Sequence, residues 1–183
     1  MRARGGHLEV LLAGGGLPQA ALADGEPLEA ALGRAVDVAA LAHVEQLETR
    51  LLESGSIATA YLGLVSSETG LDGEWRALTE VTLPFVVAAQ ARLRAKLSYT
   101  NVGFALAPET FTISELREVY VAALGHDVSA TNLQRVLVRR GVLERVDGRR
   151  APGRAGGRPA ALFRFASNRL EVTDEFAALR PPR

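Results

Sequence analysis

The sequence predicts an α+β protein made of two parts, and three observations support this prediction. Strand-like and helix-like apolar patterns alternate along the 183 residues. The charges divide between the two ends of the chain. Near the C-terminus a helix, a strand, a basic loop and a second strand follow one another, which is the order of elements in a winged helix-turn-helix. We therefore expect an α/β domain in residues 1–99, a winged helix-turn-helix in residues 100–170 and a tail in residues 171–183.

The composition is that of a folded protein without cysteine chemistry. Hydrophobic residues make up 48% of the chain, enough for a core. Cysteine is absent, which excludes disulfides, thiolate metal ligands and cysteine nucleophiles. No apolar run approaches the roughly 20 residues of a membrane helix, and the N-terminal apolar run is short and contains Glu9. We therefore expect a cytoplasmic protein with no membrane contact and no secretory signal.

The net charge of zero hides opposite charges at the two ends. Residues 1–125 contain 9 Lys and Arg against 15 Asp and Glu, a net charge of −6. Residues 126–183 contain 12 Arg against 6 Asp and Glu, a net charge of +6. An acidic body with a basic end is typical when one part of a protein faces nucleic acid. A solvated charged surface explains the division about as well, so charge alone does not decide between them.

Apolar spacing predicts the elements of the N-terminal part. Strands are expected at residues 8–12, 17–22, 44–49 and 57–65, and helices at 27–41 and 83–97. Pro27 suits the first turn of the first helix. The helix at 83–97 links the two parts and is a candidate to carry a signal between them. We expect Trp75 to be a core residue or a dimer contact.

Two helices are predicted in the C-terminal part. Thr112 is a candidate N-cap with Glu115 three residues later, the spacing of a capping box. Gly125 marks the end of this helix. Ser129 is placed to cap the next helix, which reaches Arg140 and is followed by strands at 142–146 and 160–165.

The helix that follows Ser129 has the pattern of a recognition helix. Leu133, Val136 and Leu137 form an apolar stripe, and polar side chains occupy the other positions. Asn and Gln can pair with adenine, and Arg with guanine. We expect DNA contacts from Ser129, Thr131, Asn132, Gln134, Arg135 and Arg139. For Arg140, interaction with the helix dipole and with water is the better interpretation.

The loop after the first of these strands is rich in arginine and glycine. Asp147 is the sole acid between residues 147 and 159. We expect contacts with phosphates or the minor groove from Arg149, Arg150, Arg154 and Arg158. The alternative is a disordered, solvated loop when DNA is absent. If the contacts exist, each phosphate neutralised steepens the salt dependence of binding.

Two groups of motifs resemble a known family over most of residues 8–165. Residues 17–20 and 24–31, which read Leu-Pro-Gln-Ala and Asp-Gly-Glu-Pro-Leu-Glu-Ala-Ala, resemble the start of the Nudix box. Further motifs at residues 97–100, 111–120, 132 and 157–165 resemble the winged helix of the Nudix-related transcriptional regulators of bacteria. The resemblance implies a reduced Nudix-like α/β sandwich followed by a winged helix-turn-helix.

The Nudix pattern tests whether metal-dependent hydrolysis is expected. With Glu26 as the first glutamate, Arg34 falls on the arginine of the pattern. Apolar residues occupy the three later glutamate positions, namely Ala35, Val38 and Ala39. Because Mg²⁺ needs hard oxygen ligands, the resemblance implies no metal site, no catalytic residue and no cofactor. Arg34 is a candidate phosphate ligand, and its alternative is a surface charge on an amphipathic helix.

The resemblance implies a sequence-specific transcriptional regulator that binds a double-stranded DNA operator as a homodimer. The inactive Nudix-like domain would sense a nucleotide such as ADP-ribose or provide the dimer contact. Leu133-Gln134 departs from the family motif Asn-Phe-Arg-Arg, so we expect a different operator preference. One alternative is a Nudix-type nucleotide diphosphate hydrolase, which Mg²⁺-dependent turnover of ADP-ribose would favour. Another is a protein-interaction adaptor built on the winged helix, whose DNA affinity would not depend on Arg135, Arg149 and Arg150.

Overall fold

A computed structural model describes residues 1–150 and 159–174 of the chain. Within these residues the helices are α1 (Leu28–Ala35), α2 (Pro84–Tyr99), α3 (Ile113–Leu124) and α4 (Ala130–Arg139). The strands are β1 (Arg2–Arg4), β2 (His7–Leu12), β3 (His43–Leu51), β4 (Ile57–Leu64), β5 (Glu74–Ala77), β6 (Leu143–Arg150) and β7 (Ala160–Phe165). The prediction of an α+β fold is confirmed.

The N-terminal part contains two small antiparallel sheets. Strands β1, β2 and β5 form one sheet in that order, and β3 and β4 form a hairpin. Met1 joins the sheets, because its nitrogen donates to the Gly63 carbonyl at 2.6 Å and its carbonyl accepts from the Val65 nitrogen at 3.0 Å. The two sheets therefore meet where β1 begins and β4 ends.

Strands β1 and β5 were not predicted from the sequence. Gly5 and Gly6, both at positive φ, connect β1 to β2 and supply the backbone of a two-residue hairpin turn. Strand β5 is only four residues long and contains Trp75. The Trp75 ring is partly buried beneath the Arg2 guanidinium, 4.0 Å from its centroid, and its Nε1 donates to the Leu71 carbonyl at 3.2 Å.

Two predicted elements of the N-terminal part are wrong. Residues 17–22 form no strand; Pro18 lacks an N–H for a sheet ladder. The helix predicted to run to residue 41 ends at Ala35, and Val36 is extended. The Asp37 carboxylate then accepts a hydrogen bond from the Ala39 nitrogen at 3.0 Å and caps a short 3-10 turn. Such local side-chain bonds compete with the continuation of a helix.

Helix α2 extends the predicted helix by two residues at its C-terminal end. It buries the apolar stripe that includes Val86, Ala89, Leu93 and Leu97. Lys96 is also buried, at 8% exposure, and its Nζ lies 2.7 Å from Glu45 Oε2 on β3. Helix α2 is therefore fixed to the β3–β4 hairpin by an ion pair as well as by packing.

One buried cluster joins the two parts of the chain. It includes Leu8 and Leu62 from the N-terminal sheets, Leu93 from α2, and Leu116 and Leu133 from α3 and α4. Helix α3 packs against both β1 and β2. The division at residues 99 and 100 stays a prediction, since the apolar core is continuous across it.

The C-terminal part begins with the capped helix α3. Thr112 Oγ1 accepts from the Glu115 nitrogen at 3.2 Å, and Glu115 Oε2 accepts from the Thr112 nitrogen at 2.7 Å. The predicted capping box is therefore confirmed. Gly125 ends α3 in the left-handed region, with φ of 75°.

Strands β6 and β7 form an antiparallel hairpin that packs beside the helices. Phe111 joins this sheet through a single antiparallel β-bridge, because it exchanges two backbone hydrogen bonds with Phe163, at 2.9 and 2.8 Å. The first predicted strand, 142–146, is longer in the structure and reaches Arg150. Within the described residues, two helices followed by a small antiparallel sheet match the predicted winged arrangement.

Candidate nucleic-acid interface

Hydrogen bonds and an ion pair hold the turn between α3 and α4 and the start of α4. Arg117 on α3 donates through Nε to the Val128 carbonyl at 2.8 Å and forms an ion pair with Asp127. Ser129 then caps α4, since its Oγ accepts from the Asn132 nitrogen at 3.4 Å. Ser129 is exposed, but this bond gives it a structural role at the helix start.

Helix α4 has one buried face and one exposed face. Leu133 and Leu137 are buried at 8% and 2% exposure and pack into the core. The exposed side chains lie on the opposite face: Thr131, Asn132, Arg135, Val138 and Arg139. Gln134 is half-buried at the edge of this face. The residues predicted from the sequence to contact DNA are thus brought together on one side of α4.

Asn132 and Arg135 form a pair on the exposed face. The Arg135 guanidinium donates to Asn132 Oδ1 at 2.8 Å across less than one helical turn. Arg139 follows one turn later and has no ion-pair partner within the residues described. The first half of α4 therefore presents an amide and a guanidinium side by side, a combination that can bond to base edges or phosphates.

Arg140 lies apart from this face. Its guanidinium pairs with Asp174 at 2.9 Å and donates to the Ser98 carbonyl at 2.8 Å, and its side chain is only 12% exposed. The expectation that water solvates Arg140 is wrong, because these two partners hold it against the end of α2. Arg140 fastens α4 to the linker helix.

Two of the four arginines predicted to lie in the wing belong to strand β6, which is longer than predicted. Arg149 and Arg150 lie in β6 and not in a loop, after a bulge at Gly148, whose φ is 107°. The Arg150 guanidinium pairs with Glu115, so DNA contact would compete with this ion pair. Arg149 is exposed and has no ion pair within the described residues. Arg154 and Arg158 lie outside those residues.

Two exposed residues, one on α4 and one on β6, were missed from the sequence. Arg145 on β6 is exposed and has no ion-pair partner in the described part of the chain. Val138 is 50% exposed on the polar face of α4, and an apolar side chain there can contact a thymine methyl group. The sequence did contain a signal for Val138: it lies four residues after Gln134, and residues four apart lie on the same side of a helix.

The three apolar residues at the glutamate positions of the Nudix pattern do not lie on one helix. Ala35 is the last residue of α1, whereas Val38 and Ala39 lie in the separate 3-10 turn. Arg34 pairs with Glu26 and donates to the Ala21 carbonyl at 2.6 Å. No group of three or more His, Cys, Asp or Glu suited to a metal ion occurs in residues 1–150 and 159–174.

Comparison with known proteins identifies the C-terminal architecture. Residues 103–165 match the family described as the NrtR DNA-binding winged helix domain. This part of the chain is therefore similar to the NrtR winged helix domains. The predicted resemblance to Nudix-related transcriptional regulators is thereby confirmed.

A curated protein and two solved structures extend the comparison. The chain is 40% identical over 78 residues to the ADPR responsive transcriptional repressor NtrR of Acinetobacter baylyi. That match covers 43% of this chain and 30% of the repressor, less than a third of its length.

Shewanella oneidensis NrtR complexed with a 27mer DNA has a similar fold, with a TM-score of 0.67 and 24% identity over 90% of this chain and 89% of that one. Another structure of S. oneidensis NrtR gives a TM-score of 0.58 and 27% identity over 76% and 73% of the two chains. The structural likeness therefore includes the N-terminal part and confirms the predicted fold class. In the described part of the chain, no helix has the length and apolar content needed to cross a membrane.

Proposed function

We propose that this chain is a sequence-specific, DNA-binding transcriptional regulator. The observation that carries the proposal is the exposed face of α4, where Asn132, Arg135 and Arg139 project from an NrtR-type winged helix domain. The A. baylyi relative is named a transcriptional repressor, and one S. oneidensis NrtR structure contains DNA. Both facts concern those proteins, and they support the same activity here.

In the proposed complex α4 enters the major groove. Asn132 and Arg135 contact base edges, while Thr131 and Gln134 border them. Arg139 and the exposed arginines of β6 contact phosphates, which position the helix without reading sequence. Arg154 and Arg158 are proposed to extend these contacts along the wing. Because Arg140 is fastened to α2, we assign it no contact with DNA.

We propose that the N-terminal part has no hydrolase activity. The residues at the glutamate positions of the Nudix pattern cannot hold Mg²⁺, and they do not share one helix. Incubation of the purified chain with ADP-ribose and Mg²⁺ should therefore give no turnover above buffer. Turnover that disappears with EDTA would contradict this part of the proposal.

We also propose that the regulator acts as a homodimer in the cytoplasm. A two-fold protein reads two half-sites about one helical turn, or ~10 base pairs, apart. The name of the A. baylyi relative makes ADP-ribose the first effector to test. Sedimentation of the free chain and of its DNA complex would measure how many chains associate in solution and how many bind one duplex.

The test of this function is selection from a randomised double-stranded DNA library with the purified full chain. We expect enrichment of a two-fold symmetric sequence. The Asn132→Ala variant should enrich a degraded sequence, because it removes a group proposed to contact bases. Arg76→Ala, on β5 and outside the winged helix domain, is the matched control and should select the wild-type sequence.

Failure of the wild-type protein to enrich any sequence would overturn the proposal. Equal selection by wild-type protein and by a variant lacking Arg135, Arg149 and Arg150 would instead favour an adaptor that uses the winged helix as a scaffold.

A further inference from the structure

A large cavity lies in the N-terminal part of the molecule. Its volume is about 1000 Å³, and every residue that lines it lies between 1 and 89. The walls are the β3–β4 hairpin, the segment 17–22 with α1, and the start of α2. This volume is at the upper end of the range of pockets that hold small molecules, ~300–1000 Å³.

None of the residues that line the cavity has a charged side chain. The walls consist mainly of aliphatic residues such as Leu32, Val44, Leu47 and Ile57. Small-molecule pockets are typically apolar with a few polar groups that set orientation. The lack of charged side chains is therefore information about the ligand.

The polar groups in the cavity are few and neutral. Trp75 already donates to a backbone carbonyl, and the Thr59 hydroxyl bonds to that of Thr49 at 3.0 Å. Ser54 and Ser56 also line the cavity, and Ser54 Oγ accepts from the Ser56 nitrogen at 3.4 Å. The Tyr61 hydroxyl and the Gln19 amide, like the exposed Ser56 hydroxyl, have no hydrogen-bond partner among the described residues. Tyr61 and Gln19 remain able to bond to a neutral ligand.

The surroundings of the cavity disfavour a diphosphate. An anion needs cations, a metal ion or the free N–H groups of a helix start. Two acids stand at the start of α1: Glu29 lies in its first turn, and Glu26, which accepts from the Ala23 nitrogen at 2.9 Å, lies just before it. The guanidinium of Arg34 is already paired with Glu26 and bonded to a backbone carbonyl. Phosphate groups would lose water here without adequate replacement.

Apolar side chains at the cavity mouth are unusually accessible. Leu22 is 53% exposed and Ile57 is 75% exposed. Transfer of such surface out of water stabilises a complex by roughly 25 cal/mol per Å². A ligand with apolar surface would gain this energy, whereas a highly charged nucleotide would not.

We propose that this cavity binds a neutral, mainly apolar small molecule, oriented by Tyr61 and Gln19. Binding itself follows from the geometry and charge of the cavity. The assignment of this molecule as the effector of a regulator rests on the function proposed above.

The test uses the full chain without DNA and the neutral apolar probe N-phenyl-1-naphthylamine, followed by fluorescence. Wild-type protein should bind one probe molecule saturably. Leu32→Arg places a charge in the cavity wall and should weaken binding at least about tenfold. Ile57→Arg, at the exposed mouth, should also weaken binding and is not expected to disturb folding. Val87→Arg is the matched control, since Val87 is 59% exposed on α2 and does not line the cavity.

ADP-ribose is titrated in parallel by calorimetry, and sedimentation reports the oligomeric state of each variant. Saturable binding of ADP-ribose but not of the probe would overturn the proposal. Absence of probe binding together with a dimer that Leu32→Arg dissociates would also overturn it, because a second copy of the chain would then cover this face. If Val87→Arg weakened probe binding as much as Leu32→Arg does, the probe would not be bound in this cavity.

The effector assignment is tested on the DNA selected above. A bound probe that leaves DNA affinity unchanged would refute the effector role while the binding site stands. Failure to bind any DNA would refute the proposed function and not the cavity.

Discussion

Arg135 lies between Thr131 and Arg139 on the exposed face of α4, one helical turn from each. Its guanidinium is anchored by a neutral amide and not by a carboxylate. An approaching phosphate or guanine therefore does not have to displace a negative charge. This distinguishes Arg135 from Arg140 and Arg150, which are already paired with acids.

Replacement of Arg135 by alanine should reduce affinity for the selected operator by about 1–3 kcal/mol. The physical reason is the loss of a charged, multidentate donor from the centre of the proposed interface. Fluorescence anisotropy at fixed salt concentration would measure this loss of affinity. Arg76→Ala should bind as the wild type does, and equal losses in both variants would place the interface elsewhere.

His43 is a residue whose pKa shift has a measurable consequence. Desolvation by burial lowers its pKa; Glu45 opposes this shift and Lys96 adds to it. The unfolded chain therefore takes up a proton on His43 more readily than the folded chain does. Stability from neutral His43 is fully present above the unfolded pKa of about 6.5 and declines as the pH falls below it.

His43→Gln should accordingly reduce the loss of stability between pH 7 and the lowered pKa of the folded state. Urea unfolding of both proteins over this range would show the difference. If the variant lost stability more steeply than the wild type as the pH falls, the lowered pKa of His43 would be contradicted.

At the scale of elements, the start of α3 depends on the reciprocal bonds of Thr112 and Glu115. Thr112→Ala should lower the free energy of unfolding by about 1 kcal/mol, because it leaves a helical N–H without its partner. Thr131→Ala is the matched control, since Thr131 is exposed within α4 and caps nothing. Chemical denaturation would measure both. Equal effects would show that the capping box does not contribute specifically.

The connection between α4 and α2 depends on Arg140. Arg140→Met should lower the free energy of unfolding by about 1.5–3 kcal/mol, because hydrogen bonds to charged, largely buried groups are lost. Arg139→Met, its exposed neighbour, should change stability by less than about 0.5 kcal/mol. Thermal or urea unfolding would separate the two, and similar small effects would show that this connection is weak.

At the scale of the whole molecule, the basic end of the chain, residues 126–183, includes α4 and the β6–β7 sheet. The basic end contains four exposed arginines on α4 and β6 that have no ion-pair partner within the described residues: Arg135, Arg139, Arg145 and Arg149. The other described arginines of this end include three that are paired with acids: Arg140, Arg150 and Arg164. The net charge of +6 thus contains cations that remain available to DNA.

Local signals predicted the C-terminal elements well. Capping residues such as Thr112 and Ser129 act within a few residues of themselves, so their effect is visible in the sequence. The exposed face of α4 followed from helical periodicity alone. Arg150 shows the limit, because its pairing with Glu115 joins residues that are distant in the chain.

Tertiary packing decided the features that the sequence did not reveal. Gly103 has no turn signal, yet a Cβ there would lie 2.8 Å from the Tyr120 hydroxyl. The cavity is formed by residues spread from 1 to 89, and no local pattern predicts the space between them.

The most direct test of the central claim is the affinity of the full chain for its selected operator and for a scrambled duplex, measured over a range of salt concentrations. We predict tighter binding to the operator at every salt concentration. The three unpaired arginines proposed to contact phosphates, Arg139, Arg145 and Arg149, should contribute about −2.7 to the log–log slope per bound chain, at ~0.9 for each phosphate contacted. Equal affinity for the two duplexes, or affinity that does not change with salt, would contradict the assignment of α4 and β6 as a sequence-reading DNA interface.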